Sequence, residues 1–246
     1  MKILGVIPAR FESSRFPGKV LADIQGKSMI QRVFEQASKS NLLDKVIIAT
    51  ESEQVIDHVR SFGGEAVLTN TNHASGTDRC FEVLQLQNEA YEYVINIQGD
   101  EPFIDPQQID ELAGLLDGKV ELATLIKKIT TNDELFNLGE VKTVFNNNLE
   151  ALYFSRQPIP YYRHAGELDW LQHQSYYKHI GIYGYRADVM ETIAGLPLAN
   201  LEQAESLEQL RWLENGFTIK LAFTDFESVC IDTREDLEKV LASMKQ

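Results

Sequence analysis

The chain has 246 residues, with 37 acidic side chains against 23 lysines and arginines, which gives a formal net charge of −14. A surface this acidic disfavours sequence-independent binding to nucleic acids and binding to anionic membranes, because both depend on Lys and Arg. No run approaches the ~20 apolar residues of a membrane span, and the short apolar run at the start predicts no signal peptide. Two cysteines, Cys80 and Cys230, are too few for a disulfide scaffold or a zinc ribbon. We therefore expect a soluble cytoplasmic protein with reduced thiols.

Apolar runs and helical patterns alternate over the first hundred residues. Continuous apolar runs are typical of strands buried on both faces, and apolar residues at helical spacing follow them. The predicted strands are Ile3–Ile7, Val46–Ala49, Ala66–Leu68 and Val94–Ile97, and the predicted helices cover 29–37, 55–62 and Cys80–Leu86. Strands that alternate with helices in this way predict a parallel sheet with helices on both faces.

The pattern is less regular after Asp117. Strands are predicted at Glu121–Ile129, Val141–Phe145, Leu152–Phe154, Ile180–Tyr185, Phe217–Phe223 and Ser228–Ile231, and a helix is predicted at Leu201–Leu213. A last helix is predicted from Thr233 to about Met244, where Thr233 and Asp236 approximate a capping box. The polar and aromatic segment Pro158–Lys178 fits a loop, a lid or an oligomer-contact arm.

The segment Pro8–Lys19 follows the first predicted strand, at the edge of a parallel sheet where ligands bind. It combines Arg10, Arg15 and Lys19 with small residues that let backbone N–H groups approach an anion. It is not a Walker A loop, because Ser13 and Val20 stand where that motif has Gly and Ser or Thr. It also has too few glycines for a dinucleotide-binding fingerprint. Taken alone, the segment fits a polyphosphate site and a solvated basic loop equally well.

The distribution of charge favours the polyphosphate site. Residues 1–32 contain six cations and two acids, a net charge of +4, whereas the rest of the chain contains 17 cations and 35 acids, a net charge of −18. The positive charge is therefore concentrated where an anion would bind.

Two aspartates are candidate metal ligands. Asp100 follows the fourth predicted strand, where Gly99 permits a tight turn, and it is expected at the same sheet edge as the basic loop. A carboxylate beside a triphosphate suits Mg²⁺, which takes one or two carboxylates and fills its shell with phosphate oxygens and water. Asp232 precedes the last helix. Each could instead be an ordinary turn or helix-start residue, and sequence spacing does not show whether the two meet.

Eight short motifs occur in order along the chain. They are Pro8-Ala9-Arg10, Ser14-Arg15-Phe16-Pro17-Gly18-Lys19, Ser75-Gly76-Thr77-Asp78-Arg79, Gln98-Gly99-Asp100-Glu101-Pro102, Tyr153-Phe154-Ser155-Arg156, His179-Ile180-Gly181-Ile182-Tyr183-Gly184-Tyr185, Leu207-Glu208-Gln209-Leu210-Arg211 and Asp232-Thr233. Each motif is weak alone, but the ordered set closely resembles the 3-deoxy-manno-octulosonate (Kdo) cytidylyltransferases, also called CMP-Kdo synthetases.

The resemblance implies an α/β fold of the nucleotide-diphospho-sugar transferase type, which is Rossmann-like, with a mostly parallel sheet flanked by helices. It implies one nucleotidyltransferase domain over residues 1–246 with a smaller antiparallel portion at 141–186 for dimerisation and sugar binding, and a homodimer. The implied reaction transfers CMP from CTP to the anomeric hydroxyl of Kdo, giving CMP-Kdo and pyrophosphate for lipopolysaccharide biosynthesis.

The resemblance also implies roles for individual residues. The implied CTP contacts are Ala9, Arg10, Ser14, Lys19, Ser75 and Arg79, and the implied Mg²⁺ ligands are Asp100 and Asp232. The implied sugar contacts are Gln98, Arg156, His179, Tyr183, Glu208 and Gln209. Arg10, Lys19, Asp100 and Asp232 form the implied catalytic set. The chemistry is compatible, since Arg10 and Lys19 can hold a leaving pyrophosphate and a guanidinium can bind the Kdo carboxylate in bidentate fashion.

Several of these roles have structural alternatives. Arg156 could form a surface ion pair, His179 could be a hydrogen-bonded core histidine, and Tyr183 could simply pack. Glu208 could pair with Arg211 on one helix face. The alternative functions are the same transfer to another acid sugar such as an acylneuraminate, transfer to a sugar 1-phosphate, and a catalytically silent nucleotide-binding regulator. A sugar-1-phosphate enzyme would show a glycine-rich loop after the first strand, and no such loop is present. A decayed enzyme would have lost Lys19, Asp100 or Asp232, and all three residues are present.

Overall fold

The computed structural model describes residues 1–13, 15–227 and 229–244. In chain order the strands are β1 Ile3–Pro8, β2 Asp23–Ile24, β3 Lys27–Ser28, β4 Lys45–Thr50, β5 Ala66–Leu68, β6 Tyr93–Asn96, β7 Leu122–Lys128, β8 Lys142–Phe145, β9 Ala151–Ser155, β10 Tyr177–Arg186 and β11 Ile219–Phe223. The helices are α1 Met29–Ala37, α2 Glu53–Ser61, α3 Gly76–Gln85, α4 Pro106–Ala113, α5 Asn132–Phe136, α6 Trp170–His173, α7 Ala187–Ala194, α8 Asn200–Glu205, α9 Gln209–Glu214 and α10 Arg234–Ser243. None of the helices in this described part has the length and apolarity needed to cross a membrane.

The chain divides into two compact units. Unit 1 is Met1–Gly114 together with Glu227–Gln246, and unit 2 is Leu115–Phe226. Unit 2 is wider than the 141–186 portion expected from the sequence. That residues 1–246 act as a single domain stays a prediction.

Unit 1 is built on a parallel sheet in the order β6-β1-β4-β5. Strand β1 is central, and its residues Leu4, Val6 and Ile7 are fully buried. This is what a continuous apolar run predicts for a strand covered on both faces. The four predicted strands and the alternation with helices are therefore confirmed.

Local capping signals set the helix starts in unit 1. Helix α3 begins four residues earlier than predicted, because Ser75 and Asp78 form a reciprocal capping box ahead of its apolar stretch. Helix α10 has the expected box between Thr233 and Asp236. Helix α4 was not predicted, although it carries a proline at its start, directly after the N-cap residue Asp105.

One predicted strand of unit 1 is wrong. Residues 229–231 form no strand, and Ser228, with which the prediction began, lies outside the described residues. The prediction assumed that the whole apolar run is buried. Only Ile231 is buried, whereas Val229 and Cys230 are exposed. The backbone N–H of Ile231 donates to the carbonyl of Asp100 at 2.9 Å, and this bond anchors the segment.

Unit 2 contains the antiparallel portion of the fold. Strands β7 and β11 are parallel, whereas β10 pairs antiparallel with β7 and with β8, and β8 pairs antiparallel with β9. The strands predicted for this region are present. The helix predicted over Leu201–Leu213 is instead two short helices, α8 and α9, because Ser206 adopts a left-handed conformation with φ 53° and ends α8.

The segment Pro158–Lys178 is partly ordered by aromatic packing. It contains a short 3₁₀ turn and α6, and Trp170 packs in a buried cluster with Ile129, Leu135 and Tyr176. Strand β10 also begins inside it, at Tyr177. The segment is therefore anchored at its C-terminal end, and its role as a lid or arm stays a prediction.

Candidate active site

The loop after β1 is closed by backbone hydrogen bonds that turn Lys19 inward. Ala9 N donates to Ala49 O at 2.8 Å, which continues the pairing of β1 with β4. Gly18 N donates to Phe11 O at 2.9 Å, and Gly18 has φ 71°, a conformation that glycine adopts without strain. A 3₁₀ turn then begins at Lys19, whose side chain is only 13% exposed.

Lys19 joins the two candidate metal ligands. Its ammonium donates to Asp100 Oδ2 at 2.8 Å and to Asp232 Oδ1 at 2.9 Å. Burial lowers the pKa of Lys19, but the two carboxylates outweigh it and hold the pKa above its usual value. Arg15 Nη2 lies 3.1 Å from the second carboxylate oxygen of Asp232. Two aspartates 132 positions apart in the chain, which the sequence could not place together, thus meet at one cation.

The backbone of each aspartate is held by its own contacts. At Gly99 a Cβ atom would lie 2.5 Å from Pro8 O, so the loop after β6 can approach the end of β1 only because residue 99 has no side chain. This close approach, more than turn geometry, explains the glycine. Asp232 N donates to Asp236 Oδ2 at 3.2 Å, which ties Asp232 to the capping box of α10.

The arrangement fits a divalent cation. Ligand oxygens of Asp100 and Asp232 lie within 4.8 Å of each other, and both already bind one positive group. Mg²⁺ in nucleotide sites characteristically takes one or two carboxylates and leaves its other positions to phosphate and water. The residues present therefore match such an ion in charge and donor type.

A cavity of about 460 Å³ opens beside these residues. Three cations (Arg10, Arg15 and Lys19), three carboxylates (Glu12, Asp100 and Asp232), Gln98 and Gly76 contribute to its wall. All four residues of the implied catalytic set are thus brought together in unit 1. Gln98, expected to contact the sugar, shares this wall, and Ser14 lies outside the described residues.

Arg79 is buried rather than presented on a surface. Its side chain is 1% exposed, Nη1 lies 3.2 Å from Glu51 Oε2 and contacts the hydroxyl of Thr69, and desolvation lowers the pKa of the guanidinium. Within the described residues its Nη2 has no hydrogen-bond partner. A buried donor without a partner lowers the stability of the folded protein by about 1–3 kcal/mol. A ligand atom that accepts a hydrogen bond from Nη2 of Arg79 would recover this energy.

Glu51 was missed in the sequence. It accepts from Phe11 N at 2.8 Å and lies against Arg79, so it connects the basic loop to the buried guanidinium. Its position directly after β4, at the carboxyl end of a parallel strand, is the signal that could have identified it. Ser75 was predicted, but its hydroxyl already accepts from Asp78 N at 3.2 Å as the N-cap of α3.

In unit 2 an irregularity of β10 brings two predicted sugar contacts together. The pairing of β10 with β7 shifts between Ile180 and Tyr183, so Tyr183 lies opposite Thr124. The Thr124 hydroxyl oxygen lies 3.1 Å from His179 Nε2 and 2.7 Å from Ile182 O. The rings of His179 and Tyr183 have centroids 5.1 Å apart.

Both rings are uncharged near neutral pH. Burial lowers the pKa of His179 to about 3 and raises that of Tyr183 well above its usual value. The hydroxyl of Tyr183 is buried and has no hydrogen-bond partner among the described residues. His179 therefore is a hydrogen-bonded, neutral histidine, and Tyr183 offers an unused polar atom.

The remaining predicted sugar contacts lie around α8 and α9. The Arg156 guanidinium donates to the carbonyls of Glu205, Leu138 and Ser206 at 2.8, 3.1 and 3.3 Å, so it caps the end of α8. Glu208 immediately precedes α9, and Gln209 is its buried first residue.

Comparison with known proteins identifies the family. The cytidylyltransferase family model matches residues 4–239. The 3-deoxy-manno-octulosonate cytidylyltransferase of Parabacteroides distasonis is 51% identical over 247 residues, covering 98% of both chains. That of Cytophaga hutchinsonii is 52% identical over 241 residues, covering 98% of this chain and 96% of the relative.

This chain belongs to the Kdo cytidylyltransferase family.

A solved structure agrees with this Kdo cytidylyltransferase assignment. CMP:2-keto-3-deoxy-manno-octonic acid synthetase complexed with CTP superposes with a TM-score of 0.92 at 42% identity, covering 100% of this chain and 99% of that one. The expected fold class is confirmed: a mixed α/β fold with a mainly parallel sheet flanked by helices.

Proposed function

We propose that this chain transfers the CMP group of CTP to the anomeric hydroxyl of Kdo, giving CMP-Kdo and pyrophosphate for lipopolysaccharide biosynthesis. The observation that carries the proposal is full-length identity near 50% to Kdo cytidylyltransferases. The cluster of Lys19, Asp100 and Asp232 beside a cavity that Arg10 and Arg15 also line supports the chemistry.

In this reaction the anomeric hydroxyl of Kdo loses its proton to solvent and its oxygen forms a bond to the α-phosphorus, while the bond from that phosphorus to the bridging oxygen of the β-phosphate breaks. Such transfers depend mainly on positioning and on neutralising charge at the phosphate oxygens. Arg10 and Lys19 would hold the departing pyrophosphate, since both contribute cations to the same cavity wall.

We propose Asp100 and Asp232 as the ligands of Mg²⁺. When bound, the ion would offset phosphate charge and lower the pKa of a coordinated hydroxyl. The convergence of both carboxylates on one ammonium supports this assignment, because a site that already binds one positive group suits another. Lys19 would then exchange its carboxylate partners for phosphate oxygens.

The proposed nucleotide contacts are Ala9, Arg10, Ser14, Lys19, Ser75 and Arg79. The strongest structural support is the buried Nη2 of Arg79, which retains an unsatisfied donor. An acceptor on a bound base or ribose would satisfy it, and the neighbouring Glu51 would keep the guanidinium in place.

The proposed sugar contacts are Gln98, Arg156, His179, Tyr183, Glu208 and Gln209. The unpartnered hydroxyl of Tyr183 and the neutral imidazole of His179 suit the hydroxyl groups of a sugar. A guanidinium has five N–H donors, and three carbonyl oxygens accept from Arg156. Arg156 would bind the Kdo carboxylate through its other N–H groups.

We propose that the enzyme is a homodimer of the cytoplasm. Leu152, Tyr161 and Leu168, in the 141–186 portion, are large apolar residues that are 60%, 73% and 75% exposed, and a second copy packed against them would remove this apolar surface from water. Sedimentation should give twice the 27.9 kDa of one chain. The use of CTP and the two free thiols fit the cytoplasm.

Pyrophosphate release tests the function. With CTP and Mg²⁺ we expect release with Kdo and not with N-acetylneuraminate, and EDTA should stop it. Release of pyrophosphate with N-acetylneuraminate but not with Kdo would overturn the substrate assignment. Asp100→Asn and Asp232→Asn should each abolish turnover while circular dichroism shows a folded protein. Asp57→Asn, a change at an exposed aspartate of the same unit, is the matched control. Near-normal kcat in either active-site variant would exclude it as a metal ligand.

A further inference from the structure

Lys142, on β8, is a fully buried lysine, with a side chain that is 0% exposed. Its ammonium donates to three backbone carbonyls, those of Asn137, Glu140 and Arg156, each at 2.7 Å. An ammonium has three N–H donors, so these three carbonyls account for all of them. Burial lowers the pKa of Lys142 and so opposes the charge that makes the bonds.

A buried charge of this kind is not the simplest way to stabilise a fold. Taking a charge out of water is unfavourable, and apolar side chains of similar volume often stabilise a protein as well as buried ionic groups do. The proposed nucleotide and sugar contacts do not include Lys142. Its distinctive feature is geometric, because one ammonium holds carbonyl oxygens from two separate parts of the chain, the segment 137–140 and Arg156.

The backbone of Arg156 is held on both sides of its Cα atom. Its N–H donates to Glu205 Oε2 at 3.0 Å, and the other oxygen of this carboxylate accepts from the hydroxyl of Ser155 at 2.7 Å. Its carbonyl accepts from Lys142. Because peptide groups are planar, fixing the two that flank a Cα atom also fixes the direction in which the side chain leaves the backbone.

Lys142 also supports the far end of the Arg156 side chain. Arg156 Nη1 donates to the carbonyl of Leu138 at 3.1 Å. Leu138 lies between Asn137 and Glu140, whose carbonyls both accept from Lys142. The same ammonium therefore holds the backbone from which the arginine side chain starts and the segment that accepts from its guanidinium. Support of this kind matters because a binding group is effective only when its own position is fixed.

We propose that Lys142 and Glu205 are positioning residues for the carboxylate of the acid sugar, since they direct the guanidinium of Arg156 without touching the sugar themselves. The inference rests on the proposed function, in which Arg156 binds that carboxylate. Loss of either residue should therefore impair the use of Kdo. It should spare the use of CTP, because the proposed CTP contacts all lie in unit 1 and these residues lie in unit 2.

Steady-state kinetics of pyrophosphate release test the inference. Lys142→Met and Glu205→Ala should each lower kcat/KM for Kdo at least tenfold and leave KM for CTP within twofold of the wild type. Glu205→Gln should retain most of the wild-type kcat/KM, because an amide can accept from Arg156 N–H and donate to the Ser155 hydroxyl. Ile193→Ala, which truncates a buried side chain of the same unit, is the control. It should lower the melting temperature and leave kcat/KM for Kdo unchanged.

A double-mutant cycle separates positioning from a merely structural role. If Lys142 acts through Arg156, adding Lys142→Met to Arg156→Ala should change kcat/KM for Kdo less than twofold, whereas independent effects would multiply. Glu205→Ala supplies the same cycle where Lys142→Met gives no folded protein. Multiplied effects, or a wild-type kcat/KM for Kdo in both single variants, would overturn the inference.

A measurement without substrate keeps this test separate from that of the proposed function. Exchange of the Arg156 Nε–H with solvent, followed by NMR, should be at least tenfold faster in Lys142→Met than in the wild type, because the guanidinium loses its support. An unchanged rate would contradict the positioning. If the wild type releases no pyrophosphate with Kdo, the proposed function fails, and the exchange rate still decides whether Lys142 positions Arg156.

Discussion

Replacing Lys19 by Met tests how the candidate active site is stabilised in the absence of substrate. The change keeps an aliphatic side chain but removes the ammonium that Asp100 and Asp232 share. The two carboxylates would then repel each other, with Arg15, 3.1 Å from Asp232, as a remaining partner. We expect the variant to be less stable and to bind Mg²⁺ more readily.

The size of the loss follows from the exposure of the three groups. Breaking a buried ion pair costs about 3–5 kcal/mol, and an exposed pair contributes about 1 kcal/mol or less. Lys19 is 13% exposed, but Asp100 and Asp232 are 22% and 32% exposed, so water screens part of the interaction. We expect the free energy of unfolding to fall by about 2 kcal/mol.

Magnesium should restore much of this loss in the variant. A ligand at ten times its Kd stabilises the folded state by about 1.4 kcal/mol. Because the variant has no competing ammonium, Mg²⁺ should stabilise it more than it stabilises the wild type.

Urea denaturation with and without excess Mg²⁺ measures both effects. Lys27→Met is the matched control, because Lys27 is 45% exposed and pairs with one carboxylate, that of Glu35. The reasoning is refuted if Lys19→Met is as stable as the wild type without Mg²⁺. It is also refuted if Mg²⁺ stabilises both proteins equally.

Three further predictions concern other parts of the structure. The pKa of Glu134 is lowered to about 2, because its hydrogen bond to the buried ammonium of Lys178 and those from neighbouring backbone N–H groups outweigh burial. Its stabilisation, about 3 kcal/mol, is therefore present above pH ~4.5 and lost as the pH falls toward ~2. Urea titrations should show that Glu134→Gln lowers the free energy of unfolding by about 3 kcal/mol at pH 7 and by less in acid. A difference between variant and wild type that does not change with pH would contradict this assignment. His179, with a pKa of about 3, should show no imidazole titration by NMR between pH ~5 and ~8, and a midpoint near the ordinary pKa would show an exposed ring. Gly99→Ala should lower the melting temperature and the affinity for CTP, because its Cβ would meet Pro8 O at 2.5 Å; unchanged values of both would show that the loop can relax.

The sequence predicted the parts of the fold that depend on continuous burial. Strands β1, β4 and β6 were predicted correctly because most of their residues are buried, as an unbroken apolar run indicates, and the edge strand β5 was predicted although Leu68 is 47% exposed. The prediction failed where one backbone angle decided the outcome, as at Ser206, since a left-handed residue leaves no hydrophobic signature. It also failed at 229–231, where a single buried isoleucine resembled a strand.

The candidate site was only partly predictable, for a related reason. The basic loop and Asp100 could be placed because both follow parallel strands, whose carboxyl ends share one edge. The meeting of Asp232 with Lys19 depends on a contact between distant parts of the chain, which spacing does not encode. Arg156 could not be assigned from sequence for a different reason. An arginine that caps a helix cannot be distinguished in sequence from one that binds a ligand.

The irregularity in β10 brings His179 and Tyr183 closer together than a regular strand would. A regular strand advances about 3.3 Å per residue, so positions four apart would be about 13 Å from each other. The rings of His179 and Tyr183 are instead 5.1 Å apart, because two residues of β10 have no counterpart on β7. Adding or removing one residue at Gly181 would send one ring to the opposite face of the sheet. The spacing of the two rings is therefore set by the number of residues in the irregular part of β10, and point substitutions of other side chains would leave that spacing unchanged.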